Sequence, residues 1–87
     1  GHSESTRQQY VGDIVACAAG MAEIDVKNRF QVGDRLEIIH PSGNSIITLH
    51  EMYNVDGKAV SEAPGSGHRV KFPLAGNMAH GMVARFL

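Results

Sequence analysis

Five histidines in this 87-residue chain raise the possibility of a metal site. Metal ligands in proteins usually recur at short spacings, as in zinc sites. The histidines are His2, His40, His50, His68 and His80, and no such spacing joins them. His50 and Glu51 are neighbours in a predicted strand, so their side chains would point to opposite faces. The sequence therefore predicts surface or turn histidines and no metal site.

A nucleophilic catalyst would need a serine or Cys17 beside a general base and a third, orienting group. Nothing near Cys17 in the sequence supplies these partners, so we expect a small buried side chain. A set of Ser42, His68 and Asp34 can be named, but any chain of this length yields one, and the nucleophile-elbow motif is missing. The glycine-rich segment before His68 leads into a strand, whereas phosphate-binding loops lead into a helix. We therefore predict no catalytic residue.

Two groups of basic residues could contact the phosphates of a nucleic acid. The first group is Lys27, Arg29 and Arg35, and the second is His68, Arg69 and Lys71. Acidic residues lie among the first group, so ordinary cross-strand charge pairs are the competing interpretation. Arg29 is the recognition residue that we favour, and its alternative role is a salt bridge that holds the connector in place.

Readers of single-stranded RNA usually also display aromatic side chains on which bases stack. The chain has five aromatic residues, and we expect most of them in the core: Tyr10, Phe30, Tyr53, Phe72 and Phe86. Few aromatic side chains would then remain for stacking.

Alternating apolar and polar residues define the elements that must position these groups. Ile24 and Val26 alternate with charged residues, which indicates a strand with one solvent-facing side. Turn signals such as Asp56-Gly57 separate further segments of this kind. We predict strands at residues 10–17, 22–27, 35–40, 45–53, 58–60, 68–74 and 81–86. The pattern predicts an all-β fold, a small antiparallel barrel of six to seven strands.

The sequence also indicates how two strands divide their side chains between the faces of the sheet. Strand 45–53 has apolar residues on both sides, so we expect it to be covered on both faces. In strand 81–86, Met82, Ala84 and Phe86 share one side.

Length and composition are those of one ordinary globular domain, with 43% hydrophobic and 20% charged residues. The net charge of −1 gives no global attraction to nucleic acid or to an anionic membrane. No apolar run approaches the roughly 20 residues that span a membrane. A single cysteine fits a reducing compartment, and we expect a cytoplasmic location. Residues 1–9 are interpreted as a tag remnant and linker, and 10–87 as the single domain of a chain excised from a larger protein.

A series of short segments resembles the C-terminal domain of the collagenase-like peptidase family U32. These segments are Tyr10-Val11-Gly12, Val26-Lys27-Asn28-Arg29-Phe30, Val32-Gly33-Asp34 with Leu36-Glu37, Pro41-Ser42-Gly43-Asn44, Asp56-Gly57, Ala63-Pro64-Gly65-Ser66-Gly67-His68 and Val70. The Asn-Arg-Phe and Val-Gly-Asp pair is the more specific part, because Pro-Gly and Asp-Gly turns are common in many folds.

The resemblance implies a small β-barrel similar to the second domain of elongation factor Tu, attached to a larger catalytic domain. It also implies one of two activities for the parent protein: peptidase, or hydroxylation of RNA bases such as the wobble uridine of transfer RNA, with prephenate and an iron–sulfur cluster. The family's catalytic and cluster-binding residues belong to the other domain, so the resemblance assigns no cofactor to this sequence.

Two roles follow as hypotheses. In the first, the chain is a non-catalytic accessory domain that helps its parent enzyme to bind a macromolecular substrate, either RNA or protein. In the second, it is a structural domain that packs on its own catalytic domain or forms a homo-oligomer.

Overall fold

The computed structural model describes residues 7–87, which form nine short β-strands and no helix. The strands are β1 (Gln8–Ala18), β2 (Met21–Val26), β3 (Phe30–Gln31), β4 (Arg35–Ile39), β5 (Ser45–Thr48), β6 (Tyr53–Asn54), β7 (Glu62–Ala63), β8 (Arg69–Pro73) and β9 (Met82–Phe86). The predicted all-β class is confirmed. Within residues 7–87 no helix is long and apolar enough to cross a membrane.

Seven of these strands form one antiparallel sheet in the order β5-β4-β9-β1-β2-β8-β6, while β3 and β7 pair separately. The sheet is curled into a half-barrel. The longest strand, β1, lies at its centre and pairs with β9 on one side and with β2 on the other. The predicted sheet of six to seven antiparallel strands is therefore confirmed.

The core lies on the inner face of the curled sheet, as the period-two alternation requires. In β2 the alternate residues Ala22, Ile24 and Val26 are fully buried. Phe72 of β8 is also fully buried, and its ring meets that of Phe30 edge to face with the centroids 6.4 Å apart. Edge-to-face pairs of this kind add to the stability that burial alone supplies.

Gly12 allows the sheet to curl at its centre. The pairing of β1 with β9 shifts register between Tyr10 and Gly12, which is a β-bulge. A Cβ atom at Gly12 would lie 2.6 Å from the Asp25 carbonyl oxygen and 2.8 Å from Cγ2 of Ile24. The close approach of β2 therefore requires a residue without a side chain at position 12.

Ala19 and Gly20 form the hairpin turn between β1 and β2. Their φ values are +53° and +76°, and two successive positive values over two residues are typical of a type I′ turn. This turn twists in the same sense as the strands that it connects. The turn lies between the strands predicted at 10–17 and 22–27.

Several predicted strand limits need correction. The strand predicted at 45–53 ends at Thr48, and Tyr53 belongs to the separate strand β6. Residues 58–60 form only an isolated bridge from Ala59 to Tyr53, whereas β7 occupies part of the predicted loop after them. Strand β1 begins at Gln8, inside the segment predicted as linker. The predicted tag remnant at the start of the chain lies outside the described residues.

The expected coverage of strand 45–53 on both faces was wrong. Ile46 in β5 is 52% exposed, so that strand is covered on its inner face only. In β9 the side chain that enters the core is Val83, whereas Met82 is 45% exposed. The reason is the pairing of β9 with β4, where Val83 lies opposite the buried Ile38.

Candidate nucleic-acid interface

Four of the predicted contact residues meet at one end of the sheet. Because β2 and β8 are antiparallel, the end of β2 lies beside the start of β8, and the Val26 N–H donates to the His68 carbonyl at 3.0 Å. Arg29 lies in the connector that follows β2. We call this group the basic rim; its members are Lys27, Arg29, His68 and Arg69.

Each arginine and lysine of the basic rim forms a salt bridge. Lys27 Nζ lies 3.1 Å from Asp25, Arg69 Nη1 lies 3.1 Å from Glu23, and Arg29 Nη2 lies 2.6 Å from Glu62. The three cations therefore face three carboxylates. Only the Arg69–Glu23 pair joins two neighbouring strands of the sheet, because Lys27 and Asp25 are two residues apart and Arg29 lies in the connector.

The cations of the basic rim are nevertheless more accessible than their partners. The exposed fractions of the side chains are 41% against 31% for Lys27 and Asp25, 56% against 46% for Arg29 and Glu62, and 53% against 25% for Arg69 and Glu23. Solvent-exposed pairs of this kind contribute only about 0.2–1 kcal/mol each. An approaching anion can therefore compete for the cations at small cost.

The two other predicted contact residues lie elsewhere. Lys71 follows two residues after Arg69 on the same side of β8, is half-buried, and lies opposite Glu23. Arg35 lies on β4, which two strands, β9 and β1, separate from β2 and the basic rim. Its guanidinium carbon lies 5.2 Å from the ring centroid of Phe86. The structure thus extends the rim along β8 with Lys71 and excludes Arg35 from it.

The aromatic residues divide between core and surface. Phe30 and Phe72 are buried as expected, whereas Tyr10 is 42% exposed and Tyr53 and Phe86 are half-buried. Tyr10 lies on β1 and Phe86 on β9, on the side of the sheet away from the core. None of the three lies in the basic rim, so the rim can offer phosphate contacts without base stacking.

Two tyrosines have raised pKa values because their hydroxyl groups donate hydrogen bonds to carboxylates. A hydrogen bond to Asp13 is the main cause that raises the pKa of Tyr10 to about 12, and partial burial and the nearby charges of Asp13 and Asp25 add to it. The Tyr53 hydroxyl donates to Oε1 of Glu51 at 2.6 Å, which raises the pKa of Tyr53. Both phenols stay neutral at physiological pH and act as donors.

A contact between His40 and Ser42 was missed from the sequence. The Ser42 hydroxyl lies 2.7 Å from His40 Nδ1, the Ser42 N–H donates to the same nitrogen, and His40 Nε2 lies 3.2 Å from the Ala79 carbonyl. The sequence feature that could have revealed this contact is that His40 and Ser42 lie two residues apart, on either side of Pro41. Because Nδ1 accepts from the Ser42 backbone, we interpret the contact as a cap of this turn.

The residues of the other candidate catalytic set have separate roles. His68 Nδ1 lies 3.3 Å from the Gly65 carbonyl, and Oδ2 of Asp34 accepts from the Gln31 N–H at 2.9 Å. Cys17 is half-buried and packs against the core. Within residues 7–87 no group of three or more His, Cys, Asp or Glu side chains could hold a metal ion.

The fold defines the class of the protein: a small all-β domain built from one curled antiparallel sheet and an added two-stranded sheet. The chain belongs to the peptidase family U32 C-terminal domain, whose family model matches residues 6–85. The predicted family resemblance is therefore confirmed.

Two curated relatives share more than two fifths of their aligned residues with this chain. Over 75 residues it is 45% identical to tRNA hydroxylation protein P of Escherichia coli (strain K12), which covers 85% of this chain and 17% of that protein. Over 72 residues it is 42% identical to tRNA hydroxylation protein P of Haemophilus influenzae, with 80% and 16% covered. The chain thus spans about a sixth of the length of these relatives.

Solved structures of the same family share the fold. Two crystal structures show the C-terminal domain of a Geobacillus thermoleovorans protein described as a U32 peptidase, one of them as a selenomethionine variant. The selenomethionine variant has a TM-score of 0.80 at 22% identity and covers 86% of this chain and 96% of that one. The other has a TM-score of 0.79 at 21% identity, with 90% and 91% covered.

Proposed function

We propose that this chain is a non-catalytic accessory domain of a larger U32-family enzyme that modifies transfer RNA, and that the basic rim contacts the RNA backbone. Two relatives are named tRNA hydroxylation proteins, and this chain corresponds to about a sixth of their length. Catalysis is assigned in this proposal to the remainder of the parent protein. The domain carries no metal or cofactor of its own, and a tRNA substrate gives the protein a cytoplasmic location.

The observation that carries the RNA contact is the greater exposure of the rim cations relative to their carboxylate partners. Arginine and lysine form strong charge-assisted hydrogen bonds with phosphate oxygens. A phosphate that approaches from solvent reaches the cations first and replaces weak, exposed carboxylate contacts.

The balance of charge at the basic rim sets the expected strength of this contact. Three cations and three carboxylates leave little net positive potential, so we expect weak binding by the domain alone. The contact would add to the affinity of the whole protein by placing a second binding surface on the same polypeptide. Its strength should fall with ionic strength, because phosphate binding releases counterions.

Titration of fluorescently labelled tRNA with the full-length protein tests the proposal. Arg29→Gln and Arg69→Gln should each weaken binding several-fold and reduce the slope of log affinity against log salt by about 1. Arg35→Gln is the matched control, because Arg35 lies outside the basic rim, and it should leave affinity and slope unchanged. Equal effects of all three substitutions, or of none, would contradict the rim contact.

The non-catalytic assignment has a separate test. The purified domain should not hydrolyse casein or gelatin, the substrates suited to a collagenase-like peptidase. Turnover that survives repeated purification, and that is lost when Ser42 is replaced by alanine, would overturn the assignment and identify the His40–Ser42 contact as a catalytic pair.

A further inference from the structure

The outer face of four adjoining strands, β5, β4, β9 and β1, carries apolar side chains. The strand register aligns Ile46, Glu37, Ala84 and Tyr10 in one row across these strands. Met82 lies opposite Ile39 in the neighbouring row. We call this surface the apolar face; its residues are Tyr10, Ile39, Ile46, Met82, Ala84 and Phe86.

Three side chains of the apolar face are substantially exposed. Ile46 is 52% exposed, Met82 45% and Tyr10 42%. Contiguous exposed apolar side chains on a soluble domain mark interaction sites. Ile46 and Tyr10 lie at the two ends of the row, with Glu37 and the nearly buried Ala84 between them. Met82 lies in the neighbouring row, opposite Ile39.

The other half of the outer surface has a different character. On β2 and β8 the outward residues are charged, and Glu23 and Arg69 there form a salt bridge. One sheet thus presents a charged outer surface at β2 and β8 and an apolar one at β5, β4, β9 and β1. This division indicates that only the second surface is suited to burial against protein.

The border of the apolar face is polar, as at a protein–protein interface. Arg35 stacks on Phe86 with 5.2 Å from its guanidinium carbon to the ring centroid, and Glu37 lies within the row of apolar residues. Tyrosine, methionine and arginine are enriched at interfaces, where an apolar centre has a polar border. The composition therefore favours a protein partner over nucleic acid.

The comparisons indicate which protein covers this surface. The chain matches a C-terminal domain and about a sixth of the length of its curated relatives, so in those relatives most of the polypeptide precedes the matched part. The first strand enters beside the apolar face: Gln8 pairs with Phe86, and its Nε2 donates to Oε1 of Glu37 at 2.6 Å across β9. A preceding domain is thus tethered next to this surface at high effective concentration.

We infer that the apolar face is the docking surface for the preceding part of the full-length protein. The face and the basic rim share no residue, and they meet where the Asn28 side chain donates to the Tyr10 carbonyl at 2.8 Å. The inference goes beyond the proposed RNA contact and rests on different residues. Docking would fix the orientation in which the rim meets a substrate bound to the rest of the enzyme.

Thiol labelling of the full-length protein and of the isolated domain tests the inference. The isolated domain is a suitable reference because the homologous Geobacillus domain has been crystallised by itself. Ile46→Cys is introduced in a Cys17→Ala background, and the labelled peptide is quantified by mass spectrometry. Val55→Cys is the matched control, because Val55 is 59% exposed in the turn after β6, away from the apolar face.

Labelling at position 46 should be slower in the full-length protein than in the isolated domain. If the docked state outnumbers the undocked state about ten to one, the rate falls about tenfold. Labelling at position 55 should be the same in both proteins. Equal rates at position 46 would overturn the inference.

Two other occupants have distinct signatures in the same experiment. Protection at position 46 that appears in the isolated domain and grows with its concentration would show that a second copy covers the face. Protection in the full-length protein that requires added tRNA would show that RNA covers it. Either result would overturn docking of the preceding domain, and neither depends on the behaviour of the basic rim.

Discussion

Arg29 donates from both Nε and Nη2 to one carboxylate oxygen, Oε2 of Glu62, at 2.9 and 2.6 Å. The pair joins the connector after β2 to strand β7. It lies next to the short ladder between β3 and β7, in which Phe30 lies opposite Ala63. Nη2 also donates to Oε1 of Gln31 at 3.0 Å. One guanidinium thus holds two segments that are far apart in sequence.

Replacement of Arg29 by alanine should lower the stability of the domain only slightly. The pair is exposed on both sides, so we expect the free energy of unfolding to fall by no more than about 1 kcal/mol. Urea denaturation followed by circular dichroism measures the change. A loss of several kcal/mol would show that the salt bridge is essential to the fold and would leave no freedom for Arg29 to exchange partners.

Replacement of Glu62 by glutamine should strengthen RNA binding by the isolated domain. It removes the carboxylate that competes with phosphate for Arg29, and it leaves the guanidinium bonded to Gln31. We expect a several-fold gain in affinity for labelled tRNA at low ionic strength. Glu37→Gln makes the same change of charge on β4, far from the basic rim, and should produce a smaller gain; equal gains would indicate a response to net charge alone.

The Tyr10 phenol should titrate well above its ordinary range. Its pKa is raised to about 12, chiefly by the hydrogen bond to Asp13, so the neutral phenol is favoured in the folded state. The stabilisation is fully present below the unfolded pKa of about 10 and is lost as the pH rises from there to about 12. Phenolate absorbance in a Tyr53→Phe background measures the titration.

Asp13→Asn supplies the control for this titration. It removes the negative charge that opposes the phenolate and replaces the carboxylate acceptor by a neutral one, so the pKa of Tyr10 should fall toward 10. An unchanged pKa would show that burial, rather than Asp13, causes the shift.

Replacement of Gly12 by alanine should destabilise the domain by about 1–3 kcal/mol, the usual cost of overpacking. The added Cβ would lie 2.6 Å from the Asp25 carbonyl oxygen, and backbone cannot move aside as a flexible side chain can. Chemical denaturation measures the loss. Gly57→Asn is the control, since nothing lies within 4 Å there and asparagine tolerates its φ of +83°; equal losses would contradict the steric argument.

The strands were predictable where the signal was local. Alternation in the segment around Ile24 and in that around Phe72 identified β2 and β8, because burial of one face imposes a period of two. The end of β5 was not predictable in this way. The Leu49 N–H donates to the Asp34 carbonyl and the Gly33 N–H donates to the Leu49 carbonyl, at 2.9 and 2.8 Å. Leu49 thus bonds to two successive residues before β4, and this irregular pairing interrupts the ladder although the apolar residues continue.

The candidate site was predictable as a list of residues but not as an arrangement. Lys27 and His68 become neighbours only through the pairing of β2 with β8, and no residue type near either of them specifies that partner. The pairing of Arg29 with Glu62 depends in the same way on β3 and β7, two strands too short to leave a periodic pattern. The apolar face was missed because strand 45–53, which carries Ile46, was expected to be covered on both faces.

Replacement of Ala19 by asparagine should stabilise the domain. Ala19 has a φ of +53° in the type I′ turn, a conformation that costs an alanine roughly 1–2 kcal/mol and that asparagine adopts more readily. A type I′ turn also needs a positive φ at its second central residue, and Gly20 meets this requirement with a φ of +76°. The substitution therefore creates the favoured Asn-Gly turn. We expect a gain of about 1 kcal/mol in the free energy of unfolding, measured by urea denaturation.

Ala18→Asn, one residue earlier and still in β1, should not stabilise the domain, because the regular strand there gives asparagine no advantage. Equal stabilisation by both substitutions would show that the gain does not come from the turn.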